Sequence, residues 1–246
     1  MTANNSTATS VSSSLVLLFR LIEANDWEKL KIIFLAPEKA KTFQHLSALV
    51  AKSTSFNGMT ILHACVRFNP PSGIINRMIE LCPDAPRSQD CLNRTPLHVA
   101  AGTSACPSVL KVLVDSYPDA CEFKDKDGRM PLHMACDSSC ELFEDSKGQT
   151  QRSAPSYKSI AVLLAGSLNS AVEEDNDGTS PIEYALCSNA DMKTVRLIQK
   201  VAQKVMKKKH DEKNNSKFQV DAQSSRQSLA SSAGGRSRRV LSARSA

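Results

Sequence analysis

Three histidines recur at regular intervals and are the first residues in the chain that could carry chemistry. His63, His98 and His133 follow one another at steps of 35 residues. Histidines that meet in a fold can bind metal ions or transfer protons near neutral pH. The even spacing, however, indicates one histidine in each of three successive structural units, which keeps the rings apart. We therefore expect no shared metal or catalytic site among them.

A second candidate is a zinc site beside the third of these histidines. His133, Cys136 and Cys140 are spaced by three and four residues, which on a helix could bring three zinc ligands together. The fourth ligand would come from Glu141 or Glu144 in the polar segment that follows. A cysteine in this context is ordinarily a small packing residue, so we predict no metal site. An enzyme subunit with a metal site in this segment is kept as a third alternative function.

Other catalytic and cofactor patterns are absent from the sequence. The nine glycines never form a GxGxxG or Walker pattern, which are the usual phosphate-binding loops, and no serine or cysteine lies in a nucleophile elbow. The acidic stretch from Glu173 to Gly178 loosely resembles a calcium loop but lacks the closing glutamate of an EF-hand, which favours a solvated turn. We predict no catalytic residue, no cofactor-binding residue and no cofactor, and thus no enzyme.

A recurring four-residue string defines the structural units. Its four copies are Thr60-Ile61-Leu62-His63, Thr95-Pro96-Leu97-His98, Met130-Pro131-Leu132-His133 and Ser180-Pro181-Ile182-Glu183. The apolar third positions are 35, 35 and 50 residues apart. Residues that tolerate positive φ precede the copies, at Gly58, Asn93, Gly128 and Gly178. Small residues follow them, at Cys65, Ala100, Ala135 and Ala185. The chain therefore contains an internal sequence repeat.

Each unit is predicted to be a pair of helices. A threonine or serine at the start of the string can cap the first free amides of a helix, and proline fits the first helical position. A second helix is indicated by the apolar runs Ile74–Ile79 and Val109–Leu113, whose spacing gives one apolar face. Such a pair cannot bury its apolar face alone, so it stacks on its neighbours.

This pattern resembles the ankyrin-repeat family. The family's string is glycine, one residue, Thr-Pro-Leu-His and a small residue three past the leucine, and the resemblance covers residues 15–206. It implies an all-α ankyrin-repeat solenoid of stacked helix-turn-helix units with hairpin-like turn tips. It also implies that each histidine hydrogen-bonds between neighbouring repeats near a helix N-terminus. The departures are a period of 35 instead of about 33, Glu183 in place of histidine, and Asn93 in place of glycine.

Composition divides the chain further. A degenerate unit is predicted from Leu18 to Phe34, and a short helix from Phe43 to Lys52. The predicted organisation is a disordered N-terminus (1–14), an ankyrin-repeat domain of about five units (15–206) with insertions near 36–54 and 138–157, and a basic Ser/Arg-rich disordered tail (207–246).

The resemblance implies that the protein binds another protein as a scaffold or adaptor. Ankyrin repeats contact their partners through the concave face, the turn tips and the loop after each first helix. Transfer by register gives ten positions: Phe56, Asn57, Met59, Arg67, Phe68, Leu92, Arg94, Lys126, Arg129 and Asp137. Phe56 and Phe68 would form the energetic centre if exposed; the alternative is that one of them packs under the loop at residues 69–71. Arg94 and Arg129 would contact an acidic partner.

The C-terminal tail supports an alternative function. The net charge is +6, and from Lys207 onward ten Lys and Arg against three acidic residues leave +7. The alternative is therefore a nucleic-acid- or chromatin-associated adaptor that uses this tail. Lys207–Lys209 and Arg236–Arg239 could form a split nuclear-import signal, and Ser228 and Ser242 are possible phosphosites.

Cysteine usage and hydropathy indicate the compartment. The eight cysteines are scattered over more than a hundred residues, unlike those of disulfide-stapled secreted domains. The N-terminal apolar run is too short for a signal peptide, and no stretch reaches the length of a membrane span. We expect a cytoplasmic or nuclear monomer with reduced thiols and no membrane partner.

Overall fold

The computed structural model describes residues 4–52, 57–140, 142 and 154–233. Within these residues the chain forms eleven α-helices and no strand: α1 (Asn4–Glu23), α2 (Trp27–Leu35), α3 (Pro37–Lys52), α4 (Ile61–Arg67), α5 (Ser72–Leu81), α6 (Pro96–Gly102), α7 (Pro107–Ser116), α8 (Pro131–Cys136), α9 (Tyr157–Gly166), α10 (Pro181–Cys187) and α11 (Met192–Ala233). Short 3₁₀ helices occur at Ala85–Arg87, Pro118–Glu122 and Asn169–Ala171. The predicted all-α class is confirmed.

The helices stack in two rows. Helices α1, α4, α6, α8 and α10 contact one another in sequence and form an inner row, while α2, α5, α7 and α9 form an outer row. Helix α3 lies against α2 and α5. One continuous core runs between the rows, with Leu62, Leu97 and Leu132 each 1% exposed. This is the predicted solenoid of helix pairs, and α1 with α2 is the predicted degenerate unit.

The strings form the starts of the inner helices as predicted. Thr60, Thr95, Met130 and Ser180 are the N-cap residues and have extended backbones. Proline occupies the first turn of α6, α8 and α10, where its missing N–H removes no helical hydrogen bond. The turn residues before the strings have positive φ, at +76° for Gly58, +59° for Asn93, +78° for Gly128 and +77° for Gly178.

The inner helices end in two different ways. Asn69, Ser104 and Asn189, each seven residues after the apolar position of its string, have φ between +50° and +56°. A left-handed residue at this point ends a helix and turns the chain sharply toward the next element. Ser139 occupies the same register after α8, and its φ is not positive. The longest insertion begins here.

Contacts divide the chain into two compact units, Met1–Ala202 and Gln203–Ala246. The described part of the second unit is the continuation of α11 to Ala233. Helix α1 includes residues 4–14 and α11 includes residues 207–233, which the composition predicts to be disordered. No proline or glycine interrupts α11, and two glycines follow it, which accounts for its length and its end. The domain boundaries at 14 and 206 stay predictions.

The first insertion is largely helical. The helix predicted from Phe43 to Lys52 is present as α3, but it begins six residues earlier, at Pro37. Proline at the first helical position is favourable. Phe43 packs edge-on against Phe34 of α2, with ring centroids 4.7 Å apart.

None of the described helices combines the length and apolarity that a bilayer span requires.

Candidate functional site

The candidate site is built on four turn tips, defined as residues 57–59, 92–94, 126–129 and 176–179. Three buried aspartates, Asp90, Asp125 and Asp175, hold the last three tips in shape. One oxygen of each carboxylate accepts hydrogen bonds from two backbone N–H groups of its tip, at 2.7 to 3.0 Å. These residues were missed in the sequence. The signal was an aspartate three residues before each positive-φ residue in three successive units.

Neighbouring tips are joined by backbone hydrogen bonds. Cys91 N–H donates to the carbonyl of Asn57 at 2.6 Å, and Lys126 N–H donates to the carbonyl of Leu92 at 3.0 Å. Asn176 N–H donates to Asp127 in the same way, at 3.0 Å. The third tip also packs closely on the fourth, because a Cβ at Gly128 would lie 2.8 Å from the backbone nitrogen of Asn176. The tips therefore form one connected array rather than four independent loops.

The three histidines connect the repeats beneath the tips. Their Nδ1 atoms accept the N–H of the N-cap residue at 3.1 Å, in Thr60, Thr95 and Met130. Because Nδ1 is an acceptor, Nε2 carries the proton and donates to a carbonyl of the next unit. His63 reaches Arg94 at 3.0 Å and His98 reaches Arg129 at 3.2 Å. The interpretation as inter-repeat hydrogen bonds is confirmed.

Burial favours the neutral form of these histidines in the folded protein. Burial lowers the pKa of His63 and His98 to about 4, against the opposing effect of the carbonyls that accept their Nε2 protons. Burial also lowers the pKa of His133, where Asp175 opposes the shift. In the last unit Glu183 takes the capping role and accepts from the Ser180 N–H at 2.7 Å. A carboxylate has no donor for a further repeat, which explains the departure at this position.

The geometry disfavours the zinc alternative. Both ring nitrogens of His133 are engaged, Nδ1 by Met130 and Nε2 by the carbonyl of Glu173 at 3.1 Å. Cys136 is fully buried, and burial raises the pKa of its thiol far above the ordinary value, which disfavours the thiolate that zinc binds. Across the part of the chain that the structure describes, no three His, Cys, Asp or Glu side chains gather as metal ligands. Glu141 and Glu144 lie outside the described residues.

Comparison with known proteins agrees with this architecture. A family model described as ankyrin repeats (3 copies) matches residues 62–144. Residues 62–144 carry ankyrin repeats. Ankyrin repeats generally mediate protein–protein interaction and are typically non-enzymatic modules. A search of curated proteins finds no significant relative.

The ankyrin repeats place the predicted partner-binding residues in different environments. Phe56 lies outside the described residues. The exposed positions are Asn57, Leu92 and Lys126; the partly exposed ones are Met59, Arg67, Phe68 and Arg129; the buried ones are Arg94 and Asp137. Exposure thus favours the tips over the loops that follow the inner helices.

The two arginines predicted to contact an acidic partner are engaged within the repeats. Arg94 is 7% exposed and pairs with Asp90, with Nη2 2.7 Å from Oδ2. Arg129 pairs with Asp127 at 2.9 Å and with Asp125 at 3.4 Å. Each guanidinium therefore has a carboxylate partner of its own. Their contact with an acidic partner stays a prediction.

Phe68 adopts the packed alternative. It is partly buried and lies against the core, and the Arg67 guanidinium is 5.4 Å from its ring centroid. Phe68 therefore packs within the repeat at the end of α4 and is not fully available to insert into a partner. Among the described candidates, Leu92, 43% exposed at a turn tip, presents the clearest apolar anchor.

Proposed function

We propose that the protein is an interaction scaffold that binds another protein through the ankyrin turn tips and the adjoining concave face. The carrying observation is the hydrogen-bonded array of tips, which holds exposed Leu92 and Lys126 side by side: the carbonyl of Leu92 accepts the N–H of Lys126. A fixed surface loses little conformational entropy on binding, so most of its contact energy becomes affinity.

The tips combine the chemistry that a protein partner requires. Leu92 supplies an apolar anchor, and Asn57 and Lys126 supply exposed polar and charged groups on either side of it. An aliphatic centre within a polar rim is typical of protein interfaces. No cofactor is part of this proposal. A monomer in the cytoplasm or nucleus remains our expectation.

The test compares matched charge changes at the tips and elsewhere. Leu92→Arg/Lys126→Glu alters the proposed interface, while Leu168→Arg/Lys158→Glu makes the same changes at exposed positions outside the tips. Proteins captured from a native lysate by each variant and by wild type are quantified by mass spectrometry after circular dichroism confirms equal helicity. We expect a partner retained by wild type and the control pair but lost by the tip pair. Equal retention by both pairs would contradict the proposal.

A second candidate is polyanion binding by the C-terminal unit, the nucleic-acid alternative. It is favoured by the exposed lysines at 204 and 207–209 on α11, of which Lys208 has an ion pair, with Glu212 at 3.7 Å. Binding of an RNA or DNA duplex that weakens steeply as salt rises would support it. Ser228 falls on α11 and Ser242 lies outside the described residues; modification of both stays a prediction.

A further inference from the structure

The first residues after α8 contact the inner row of helices. Asp137 has an extended backbone (φ −94°, ψ 105°). Its Oδ1 accepts the N–H of Ser139 at 2.9 Å and the hydroxyl at 2.6 Å. Ser138 N–H donates to the Ser188 hydroxyl at the end of α10, at 2.8 Å. The first residues of the insertion are therefore anchored on the inner face, and residues 138–140 and 142 are named the return segment.

The return segment reaches the previous repeat at Leu142. This side chain is 7% exposed and belongs to the hydrophobic core. A Cβ at Gly102, at the end of α6, would lie 2.6 Å from Leu142 Cδ1. The missing side chain of Gly102 therefore creates the space that Leu142 fills.

Among the four string-bearing repeats in the part of the chain that the structure describes, only the second has a glycine at this position. Five residues after the apolar position of each string, the residues are Arg67, Gly102, Asp137 and Cys187. Three of them carry a side chain at this position. Gly102 alone leaves the backbone open to close approach.

The wall of this space is already formed by residues of the repeat. Arg94 Nη1 donates to the carbonyl of Leu142 at 3.1 Å, while Nε and Nη2 are held by Asp90 Oδ2, each at 2.7 Å. The ion pair with Asp90 does not depend on the return segment. The Cys140 thiol, 6% exposed, lies close enough to Arg129 to act electrostatically on its guanidinium. The return segment thus crosses from the third tip to the second repeat.

We propose that Gly102 and Arg94 form a docking groove for an extended segment of the partner protein, and that the return segment occupies this groove as an internal competitor. The partner segment places a leucine-sized aliphatic side chain over Gly102 and a backbone carbonyl on Arg94 Nη1. The chain's own Leu142 shows that this chemistry fits. The inference rests on the proposed function, because it names the kind of segment that the scaffold binds.

The sequence of the insertion fits a displaceable occupant. From residue 143 to residue 156 the only large apolar residue is Phe143, among mostly polar and charged ones. Displacement of the return segment would therefore expose two core residues of that segment, Leu142 and Cys140. The partner would restore the lost contact with its own aliphatic side chain.

The test uses a labelled peptide with the sequence of residues 137–145, in which serine replaces Cys140, added to the full chain. Fluorescence anisotropy compares wild type, Leu142→Ala, and the matched control Leu168→Ala, which changes an exposed leucine after α9. We expect binding to Leu142→Ala to be about tenfold tighter than to wild type or control, because the internal anchor is weakened. A peptide with Leu142→Ala should not bind, and Leu142→Ala/Gly102→Val should lose binding because valine fills the space.

A second measurement keeps the test valid if Leu142→Ala folds poorly. In wild type, alkylation of Cys140 is followed by mass spectrometry with exposed Cys91, Cys106 and Cys187 as references. Saturating peptide should accelerate alkylation of Cys140 and leave the reference rates unchanged. Equal affinity for wild type and Leu142→Ala, binding of the Leu142→Ala peptide, or unchanged Cys140 alkylation would overturn the proposal. The tip pair Leu92→Arg/Lys126→Glu should still bind the peptide, so failure of the groove and failure of the tip interface are distinguishable.

Discussion

The second and third ankyrin repeats are nearly identical at their centres and differ at their ends. Leu97 and Leu132 are equally buried, and His98 and His133 each bridge to the following unit. After α6, Ser104 adopts φ +56° and the chain passes directly to α7. After α8, the backbone at Asp137 is extended and the insertion begins.

The difference shows which parts of a repeat are determined together. The string, its histidine and the preceding aspartate form one hydrogen-bonded unit that both repeats share. The residue that ends the inner helix is independent of that unit, so the third repeat accepts a long insertion without loss of its core. Leu142 of the return segment in turn packs against the second repeat, where Gly102 leaves space.

The largest predicted effect is an acid-dependent loss of stability through the histidines of this shared centre. The folded pKa of His63 and His98 is about 4, below the unfolded value of about 6.5. The unfolded chain therefore binds more protons at these two residues, so their contribution to stability is complete above pH 6.5, is lost as the pH drops toward 4, and changes no further below that. Each histidine contributes about 3 kcal/mol to this loss. Urea denaturation between pH 7 and pH 4 measures it.

Single histidine variants measure how much each repeat contributes to this acid-dependent loss of stability. His98→Gln should remove about half of the loss between pH 6.5 and pH 4, because His63 is the other strongly shifted group. His133→Gln should remove a smaller part. A pH profile that neither substitution alters would show that the inter-repeat histidines do not set the acid limit.

An intermediate effect is expected from the two arginines at equivalent tip positions. The Arg94 side chain is 9% exposed and that of Asp90 is 0% exposed, whereas the side chain of Arg129 is 23% exposed. Removing one partner of a buried pair leaves an uncompensated charge, so Arg94→Met should cost about 3 kcal/mol of unfolding free energy. Arg129→Met, at a more solvated pair, should cost about 1 kcal/mol. Chemical denaturation measures both losses of unfolding free energy. Equal losses for Arg94→Met and Arg129→Met would contradict the view that the two ion pairs differ in burial.

The smallest effect concerns the helix ends. Ser104→Gly should stabilise the protein by about 0.5 kcal/mol, because glycine adopts positive φ without the steric cost of a side chain. Thermal denaturation by calorimetry measures this change. Ser139→Gly, at the same register in the third repeat, is the control: its φ is not positive and its hydroxyl bonds Asp137, so it should give no gain. A gain at Ser139 instead would mean that α8 can also end in the left-handed manner.

Much of the repeat architecture could be predicted from local sequence. The helix starts, the positive-φ turns and the role of the histidines all depend on residues within a few positions of each string. The aspartates beneath the tips carry a periodic signal as well, at Asp90, Asp125 and Asp175. By contrast, the i,i+4 spacing of Asp90 and Arg94 allows an ion pair but does not indicate that it is buried, and nothing near Phe68 indicates that it packs on the core.

The sequence by itself determined the repeat: caps, prolines, turn residues and small residues act over short distances, so their spacing is enough to specify each helix pair. Only the tertiary structure decided which side chains are available to a partner. Arg94 is buried because Asp90 and the carbonyl of Leu142 both reach it, and Leu142 reaches it because Gly102, forty residues earlier, leaves space. The two contacts of Leu142, unlike the local Arg94–Asp90 pair, depend on how the repeats stack, and no local pattern encodes them.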